Sequence, residues 1–375
     1  MSFIYLIFYK LQYYLGKNIL YVLLATFFVT VLKLFLLSRK TLKGWSISDW
    51  LINYDDGGFK RRGLGGSLIF MLQDFTSLSL STIIFSIQVI FYFYFFIKIW
   101  QILISRKIDP YFLTFIYLPV SVFFLWVSAE FLGRKEVILF AIALYFVSGD
   151  LSNFKKYMVI FLFAVILLLH EGLYFFFPFL IAYQYVIEKK IDYQFAVSLI
   201  LISTLIMLSF VLFGGNLDNG KSIAIIKSRG TELVAGNAIN YDGSSKLDFI
   251  KTFIFSYSLH LLEFMFVIAY FSYYIMKNYK EKFQIFLKFI TVSVVFILPL
   301  FVLAIDWMRW IHIYTILIMI LVSLFLEKHR EKRIVYNDSQ QGSVFFLMTV
   351  LFFIEFLFHL QHDQIIDAIK KFLFA

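Results

Sequence analysis

Residues 80–103 read LSTIIFSIQVIFYFYFFIKIWQIL, a run of 24 residues in which Lys98 is the one charged side chain. A straight helix needs about 20 apolar residues to cross the hydrocarbon core of a bilayer. The run is continuously apolar and does not alternate between apolar and polar positions, as a strand of a membrane barrel does. It therefore predicts a transmembrane helix.

The composition of the whole chain agrees with this interpretation. Of the 375 residues, 61% are hydrophobic and 15% are charged, and the mean hydropathy is +0.84. A soluble chain carries about 25% charged residues, and no soluble core could hide so much apolar surface. The chain contains no cysteine, which excludes disulfides, iron–sulfur clusters and zinc–thiolate sites. The net charge of +10 does not indicate a nucleic-acid partner, because basic residues collect in the cytoplasmic loops of membrane proteins.

Apolar segments recur along the chain and predict an all-α fold, a polytopic transmembrane helical bundle of about 11 spans that forms a single integral membrane domain over residues 1–375. The segments are residues 18–38, 80–103, 111–128, 136–148, 157–170, 172–187, 194–214, 252–276, 284–305, 310–326 and 343–360. Those at 136–148, 157–170 and 172–187 are shorter than about 17 residues, the lower limit for a straight span, so whether they fully cross stays open.

Basic residues in the short connections predict the orientation of the bundle, because such residues stay on the cytoplasmic side. With the N-terminus in the cytoplasm, every inside connection carries lysine or arginine, as at 155–156 and 189–190. Two long connections, 39–79 and 215–251, then lie outside as large external loops. The pattern predicts a multi-pass protein, and the abundance of Phe, Tyr, Ile and Lys is typical of an AT-rich bacterial gene. We therefore expect a bacterial inner (plasma) membrane.

The polar clusters that are not plain lysine runs all fall on the predicted outer face. The richest is NYDDGGFKRRGLGG at residues 53–66. Its glycines permit positive φ and close approach of the backbone to a ligand. Arg61 and Arg62 offer planar donor forks that fit phosphate oxygens, and Lys60 lies beside them in the chain. The stretch is therefore a candidate segment for binding a phosphorylated substrate.

Two adjacent acids in this stretch, Asp55 and Asp56, are the candidate catalytic residues. A carboxylate beside phosphate-binding arginines can take the proton of an acceptor hydroxyl next to a phosphorylated leaving group. The stretch has neither the strand context of a dinucleotide fingerprint nor the Gly-Lys-Ser/Thr ending of a P-loop. The alternative is structural: an external loop with glycine turns, whose arginines bind lipid headgroups.

Four further outer clusters supply candidate substrate-binding residues. They are Arg134 and Glu136 in GRKE, His170 and Glu171 in HEG, Arg229 in KSRG, and Asp306 and Arg309 in DWMRW. Ionisable residues at membrane depth are costly and mark functional sites by default. Each cluster also has a structural alternative. GRKE could be a turn with local ion pairs, and HEG could contain a hydrogen-bonded histidine. KSRG could belong to a flexible external loop, and DWMRW could form part of the interfacial aromatic belt.

The arrangement of many spans, an acid-bearing first external loop and several outer arginines resembles the polytopic glycosyltransferases of the GT-C type. In size, in its Phe/Ile/Lys/Tyr-rich composition and in its large outer loops, the chain is similar to the O-antigen and capsular polysaccharide polymerases, the Wzy-like proteins. The motifs that carry the comparison are NYDDGGFKRRGLGG, GRKE, HEG and DWMRW. The likeness covers most of the chain as topology.

The resemblance implies the polymerisation of lipid-linked repeat units in O-antigen or capsule biosynthesis, on the outer face of the inner membrane. A growing glycan on undecaprenyl diphosphate is the implied donor, and a second lipid-linked repeat unit is the acceptor. Arg61, Arg62 and Arg134 would hold the diphosphate, and Asp55 or Asp56 would act as the base. The implied partners are the polyprenyl-linked oligosaccharide, membrane lipids, and a chain-length regulator or a flippase, with no nucleic acid.

Two other functions stay open at this point. A lipid-linked sugar flippase or transporter would carry charges at mid-membrane and show internal symmetry, and no internal repeat is visible in the sequence. A membrane acyltransferase that modifies glycans would use His170 and Glu171 as its base. No cofactor and no metal-ligand spacing are indicated, but the paired aspartates leave a divalent cation open.

Overall fold

The computed structural model describes residues 19–106, 112, 115–116, 120–122, 132–214, 218–235, 237–239, 254–304 and 306–326. Within these residues the fold is almost entirely helical. The α-helices are α1 (Ile19–Arg39), α2 (Trp45–Ser48), α3 (Gly63–Thr76), α4 (Leu80–Ser105), α5 (Glu136–Val147), α6 (Asn153–Leu169), α7 (Phe177–Glu188), α8 (Tyr193–Phe213), α9 (Asn219–Ser228), α10 (Ile254–Asn278), α11 (Phe283–Leu303) and α12 (Trp307–Phe325). Short 3-10 helices cover Asp49–Leu51, Glu171–Phe176 and Lys280–Lys282, and two-residue strands form β1 (Leu42–Lys43) and β2 (Glu232–Leu233).

Five helices in the described part of the chain are long and apolar enough to cross a membrane: α1, α4, α8, α11 and α12. The protein is therefore a helical, membrane-embedded protein. Helix α10 has 25 residues, whereas α5, α6 and α7, on the three short predicted segments, have 12, 17 and 12. The predicted spans at 111–128 and 343–360 fall largely or wholly outside the described residues, so the total of about 11 spans stays a prediction.

Helix α12 lies at the centre of the bundle. Its residues are buried along almost the whole length of the helix, whereas fewer than a third of the residues in the apolar windows of α1 and α8 are buried. The hydroxyl of Tyr183 on α7 donates to the carbonyl of Leu317 at 2.7 Å, and the hydroxyls of Ser293 on α11 and Tyr314 lie 3.1 Å apart. Interhelical hydrogen bonds of this kind contribute about 1 kcal/mol each in membrane bundles. They help to fix the central helix against its neighbours.

The predicted first external loop, residues 39–79, folds into helices and does not remain an irregular loop. Helix α3 packs against α4, against α6 and against the 3-10 turn that follows α2. The amide of Gly66 donates to the carbonyl of Ile52 at 2.9 Å, and a Cβ at this glycine would lie 2.4 Å from that carbonyl oxygen. A Cβ at Gly63 would lie 2.2 Å from the ring of Tyr54. The missing Cβ at these two glycines therefore makes room for Tyr54 and Ile52 of the same chain and not for a ligand.

Positive φ angles occur in the same stretch, as the glycine content predicts. Gly57 has a φ of 125° and Gly58 a φ of 148°, values that side chains with a Cβ rarely adopt. The two glycines form the turn between the 3-10 helix Asp49–Leu51 and α3. The turn reverses the chain direction, so that α3 can pack beside the 3-10 helix Asp49–Leu51.

The second predicted external loop, 215–251, contains α9 and β2 in its described part. Strand β2 pairs in parallel with β1, which follows α1, so that Leu42 stands opposite Glu232. The amide of Ala238 also donates to the hydroxyl of Ser48 at 2.9 Å. The two long connections thus form one unit on the same end of the bundle, although about 190 residues separate these hydrogen-bonded positions.

The opposite end of the bundle carries the simple basic residues. There Lys282 donates to the carbonyl of Phe325 at 3.2 Å, and Arg106 donates to the carbonyl of Leu326 at 2.9 Å. Lys156 forms ion pairs with Glu188 and Asp192, both at 2.6 Å. The separation of lysine-rich connections from mixed polar clusters is thus present in the fold. Which of the two ends faces the cytoplasm stays a prediction.

Candidate functional site

Charged side chains from distant parts of the sequence meet at the end of the bundle that holds the two long connections. We call this group the ion cluster. Its members are Asp49, Arg62, Arg134, Lys135, Glu136, His170, Glu171, Asp306 and Arg309. They come from the 3-10 turn before α3, the start of α3, the start of α5, the end of α6 and the start of α12. The predicted clusters GRKE, HEG and DWMRW therefore do converge.

Arg62 lies in the middle of one half of the ion cluster. Its Nε and Nη2 donate to the two carboxylate oxygens of Glu171 at 2.8 and 2.9 Å, and its Nη1 donates to Asp49 at 2.8 Å. Burial alone would lower the pKa of Arg62, but Glu171 and Asp49 raise it above its ordinary value. The guanidinium is thus permanently charged. A bidentate pair of this kind fixes the orientation of the guanidinium and also strengthens the hydrogen bonds.

The backbone of Arg62 is also unusual. This residue precedes the first residue of α3 and has a φ of 65°, in the left-handed region. A residue with a Cβ rarely adopts this region, and the strain costs on the order of 1–3 kcal/mol. The side chain that leaves this strained backbone is held in place by its ion pairs with Glu171 and Asp49. Strained residues of this kind cluster at functional sites.

Asp49, which the sequence analysis did not single out, is completely buried. Burial alone would raise its pKa, but the nearby Lys135 and Arg62 outweigh burial and hold the pKa of Asp49 well below its ordinary value. The carboxylate is therefore ionised at neutral pH. Lys135 is also fully buried, and its ammonium donates to the carbonyls of Asp49 and Leu169 at 2.7 and 3.0 Å. Asp49 is thus a charged anchor inside the protein.

The turn at residues 132–135 is positioned by donors from other elements. The indole of Trp50 and the amide of Gln88 on α4 both donate to the carbonyl of Gly133, at 2.7 and 2.6 Å. The hydroxyl of Tyr92 donates to the carbonyl of Leu132 at 2.8 Å. These bonds satisfy backbone acceptors that a turn at this depth would otherwise leave without partners. They also fix the direction in which α5 begins.

Arg309 organises the other half of the ion cluster. Its Nε lies 2.8 Å from Glu136, and its Nη1 donates to Asp306 at 2.9 Å, one turn earlier on the chain. Its guanidinium also lies over the ring of Trp310, 4.3 Å from the ring centroid. The predicted contact between Asp306 and Arg309 is therefore present. Glu136 is the partner that joins α12 to α5.

His170 links the two halves. Burial lowers the pKa of His170 well below its ordinary value, and Arg62 and Arg309 lower it further, so the ring is neutral at neutral pH. Nη2 of Arg309 lies 2.8 Å from Nε2 of His170. A guanidinium can only donate, so Nε2 accepts and the proton of the ring resides on Nδ1. Within the described residues, Nδ1 has no hydrogen-bond acceptor.

Arg134 is buried in the same region, beside the ring of Trp45 at 5.4 Å from the ring centroid. Burial and the nearby Arg309 lower the pKa of Arg134 to about 10, so the side chain still carries its charge at neutral pH. With the histidine neutral, the acids of the ion cluster balance its bases in number. Balance is required here, because burying an uncompensated charge costs several kcal/mol.

Arg61 lies at the rim of the ion cluster. Its side chain is 69% exposed, and its Nη1 is 3.9 Å from Glu171, which Arg62 already holds at shorter distance. The positive charge of Arg61 is therefore not needed to balance the acids of the ion cluster. An exposed arginine beside a buried, fixed network is well placed to meet a negatively charged group from outside.

The remaining predicted site residues lie in the joint between the two long connections and not in the ion cluster. Asp56 is buried, forms an ion pair with Lys60 and accepts a hydrogen bond from Ser222 on α9. Its carboxylate is thus occupied by structural partners. Asp55 is instead partly turned to solvent, with Ser67 as a weak partner at 3.4 Å.

Arg229 also has structural partners. Its guanidinium donates to Asp74 at 2.7 Å and to Gln73 at 3.2 Å, and it lies over the ring of Phe70 at 4.4 Å. All three partners belong to α3. These contacts tie the second connection to the first, and a contact of Arg229 with an anionic substrate stays a prediction. In the described part of the chain, no group of three or more His, Cys, Asp or Glu side chains could hold a metal ion.

Comparisons with known proteins add one match. A family model described as "Uncharacterised membrane protein Rv1490" matches residues 247–354, less than a third of the chain. The matched region contains α10, α11 and α12, and so includes the Asp306 and Arg309 side of the ion cluster. No curated protein matches, and no solved structure matches. The match and the apolar helices agree that the chain is a membrane protein.

Proposed function

We propose that the protein is a membrane-embedded glycosyltransferase whose donor is a saccharide linked to a polyprenyl phosphate or diphosphate. The proposed reaction is the polymerisation of lipid-linked repeat units on the outer face of the inner membrane, as in O-antigen or capsule biosynthesis. A donor of this class combines an apolar chain, a negatively charged phosphate group and a sugar. A bundle with an arginine-bearing polar site at one end offers a matching environment for each part.

The observation that supports the proposal is the position of Arg61 beside the ion cluster. Arg62 is locked by Glu171 and Asp49, whereas the neighbouring Arg61 is mostly exposed. In this proposal Arg61 binds the diphosphate and stabilises the charge that develops on the leaving group. The ion cluster keeps its own geometry when the substrate arrives, because its buried charges already have partners. Catalysis of this kind depends on such preorganised charge.

The structure also favours one of the two predicted catalytic acids. A general base must reach the hydroxyl it deprotonates, and the carboxylate of Asp56 is occupied by Lys60 and Ser222. Asp55 is exposed and retains room for an acceptor hydroxyl. We therefore assign the base role to Asp55, and a structural role to Asp56.

The alternatives receive less support from the geometry. A transporter of lipid-linked sugars needs charges near mid-membrane, whereas the ion cluster lies at helix ends. An acyltransferase would use His170 as its base, but the ring nitrogen that could accept a proton is occupied by Arg309. Neither alternative explains an exposed arginine beside a balanced set of buried charges.

Replacing Arg61 with alanine tests the proposal, because this side chain is exposed and its loss leaves the buried ion pairs intact. In a strain whose own copy of the gene is deleted, we expect wild-type protein to restore a ladder of long glycan chains. We expect Arg61→Ala to leave single repeat units, because removing one charge-stabilising donor slows such reactions about 10²–10³-fold. Extracted glycan separated on a gel provides the measurement.

Lys221→Ala is the matched control, since Lys221 is another exposed cation in the joint between the two long connections. It should restore the full ladder at equal expression. A normal ladder from Arg61→Ala would refute the role of this arginine. If the deletion strain shows no surface saccharide at all, instead of single repeat units, the protein is a flippase and the proposed reaction is wrong.

A further inference from the structure

Helix α3 carries an apolar stripe that is exposed in the described part of the protein. The stripe consists of Leu68, Met71, Leu72 and Phe75, which follow the spacing of one helix face. Phe75 is 88% exposed and Met71 is 60% exposed. Leu78, just beyond the end of the helix, continues the stripe and is also exposed. In water, so many large apolar side chains on one short helix would be unfavourable.

The other faces of α3 are engaged by the protein. Ile69 and Phe70 are buried in the core, and the helix packs against α4, α6 and the preceding 3-10 turn. Arg229, from the second long connection, binds the side chains of Gln73 and Asp74. The helix therefore has one face in the protein, one polar edge under the second connection, and one apolar face outside.

The position of α3 identifies what covers the apolar face. The helix has 14 residues, about 21 Å at 1.5 Å per residue, which is too short to cross a bilayer. It ends at Thr76, and Ser79 caps the N-terminus of the candidate spanning helix α4 by accepting from Thr82. Only a few residues thus separate Phe75 from the end of a spanning helix, so the apolar face begins at the edge of the membrane.

A second spanning helix, α8, also ends close to the turn that leads into α3. On α8 the side chains nearest its end, Val211, Leu212 and Phe213, are highly exposed, and Phe59 stacks on Phe210 with ring centroids 5.3 Å apart. Phe59 belongs to the turn that leads into α3. An aromatic contact therefore joins the end of a spanning helix to the turn that leads into the short helix.

We propose that α3 is an interfacial helix whose stripe of Leu68, Met71, Leu72 and Phe75 inserts among the acyl chains of the membrane leaflet at the ion-cluster end. A helix of this type lies in the membrane plane with its apolar face about 5–10 Å below the headgroups. Because α3 begins directly after Arg62, the insertion places Arg61 and Arg62 at the level of lipid headgroups. The inference concerns membrane insertion and holds whether or not the protein transfers sugars.

The absence of cysteine from the chain makes the test direct. Single-cysteine variants Met71→Cys and Phe75→Cys carry a nitroxide label in the full-length protein, reconstituted in phosphatidylethanolamine–phosphatidylglycerol vesicles. Electron paramagnetic resonance then compares the accessibility of each label to oxygen, which partitions into lipid, and to a water-soluble nickel chelate. Phe93→Cys, on an exposed face of the spanning helix α4, is the lipid reference. Lys221→Cys, exposed on α9, is the water reference.

If the stripe is inserted, both α3 labels are more accessible to oxygen than to the nickel chelate. Their ratio of oxygen accessibility to nickel-chelate accessibility then lies between the ratios of the lipid reference and the water reference. A ratio equal to that of Lys221→Cys at both positions would place the stripe in water and overturn the proposal. Strong spin–spin broadening from labels on two copies would also overturn it, because a second protein chain would then cover the stripe. Both α3 side chains are exposed, so their replacement should not prevent folding.

Discussion

Asp49→Asn should lower the free energy of unfolding by about 3–5 kcal/mol, the usual effect of removing one partner from a buried ion pair. The carboxylate is fully buried and pairs with Arg62 at 2.8 Å and with Lys135 at 3.4 Å. Asparagine has nearly the same shape but no charge, so the buried ammonium of Lys135 and the partly buried guanidinium of Arg62 would lose their shared counter-ion. Asp49 is thus expected to matter more for stability than Asp55, the exposed acid of the neighbouring pair Asp55 and Asp56.

Thermal unfolding in detergent, followed by the fluorescence of the six tryptophans, measures this effect. The expected loss corresponds to a Tm lower by on the order of 5–10 °C. Asp55→Asn is the matched control, because it makes the same chemical change at an exposed position, where substitutions usually stay within about 0.5 kcal/mol. Equal Tm values for the two variants would show that Asp49 does not anchor the ion cluster.

Arg309→Met should have an effect of similar size, about 3–5 kcal/mol, on the other half of the ion cluster. Methionine keeps an unbranched apolar chain on α12 but removes the guanidinium that contacts Glu136, Asp306 and His170. The buried carboxylate of Glu136 would then lose its closest cation. Adding Glu136→Gln to Arg309→Met should recover part of the lost stability, because the second change removes the uncompensated charge.

Arg229→Met serves as the control for this substitution. Arg229 also contacts an acid and an aromatic ring, but its ion-pair partner Asp74 is mostly exposed. Exposed ion pairs contribute little to stability because water screens both charges. We therefore expect a much smaller change in Tm for Arg229→Met than for Arg309→Met. Comparable losses would contradict the distinction between the buried contacts of Arg309 and the exposed pair of Arg229 with Asp74.

The fold class and part of the topology could be predicted from the sequence. Long apolar runs indicate membrane-spanning helices because the bilayer sets a minimum length, and five such helices are present in the described residues. The gathering of GRKE, HEG and DWMRW followed from counting spans, since every second connection must return to the same end of the bundle. That reasoning needs no knowledge of which side chains touch.

Individual pairings could not be predicted. Asp56 meets Ser222, which is 166 positions away, and this contact depends on how two long connections fold on each other. The glycines of the first connection were interpreted as room for a ligand, but at Gly63 and Gly66 the space admits Tyr54 and Ile52. A pattern of glycines indicates that some group approaches the backbone closely. It does not indicate which group this is.

Two members of the ion cluster were missed, and the sequence contained a signal for each. Asp49 is the one acid in the stretch GWSISDWL, where apolar and aromatic residues surround it, and an ionisable residue in such a setting marks a functional or structural site by default. Lys135 stands between the two residues of GRKE that were chosen. Its complete burial depends on the packing of α5 against the 3-10 turn that holds Asp49, which no local pattern reveals.

A double-mutant cycle on Arg62 and Glu171 tests the central claim most directly, namely that residues 109 positions apart form one ion-pair network at one end of the bundle. Arg62→Gln, Glu171→Gln and the double variant would be unfolded reversibly with SDS in mixed micelles. We expect a coupling energy of about 1.5–3 kcal/mol, and near-additivity for Arg62→Gln with Asp192→Asn, whose ion pair lies at the opposite end. A coupling below about 0.5 kcal/mol between Arg62 and Glu171 would contradict the account.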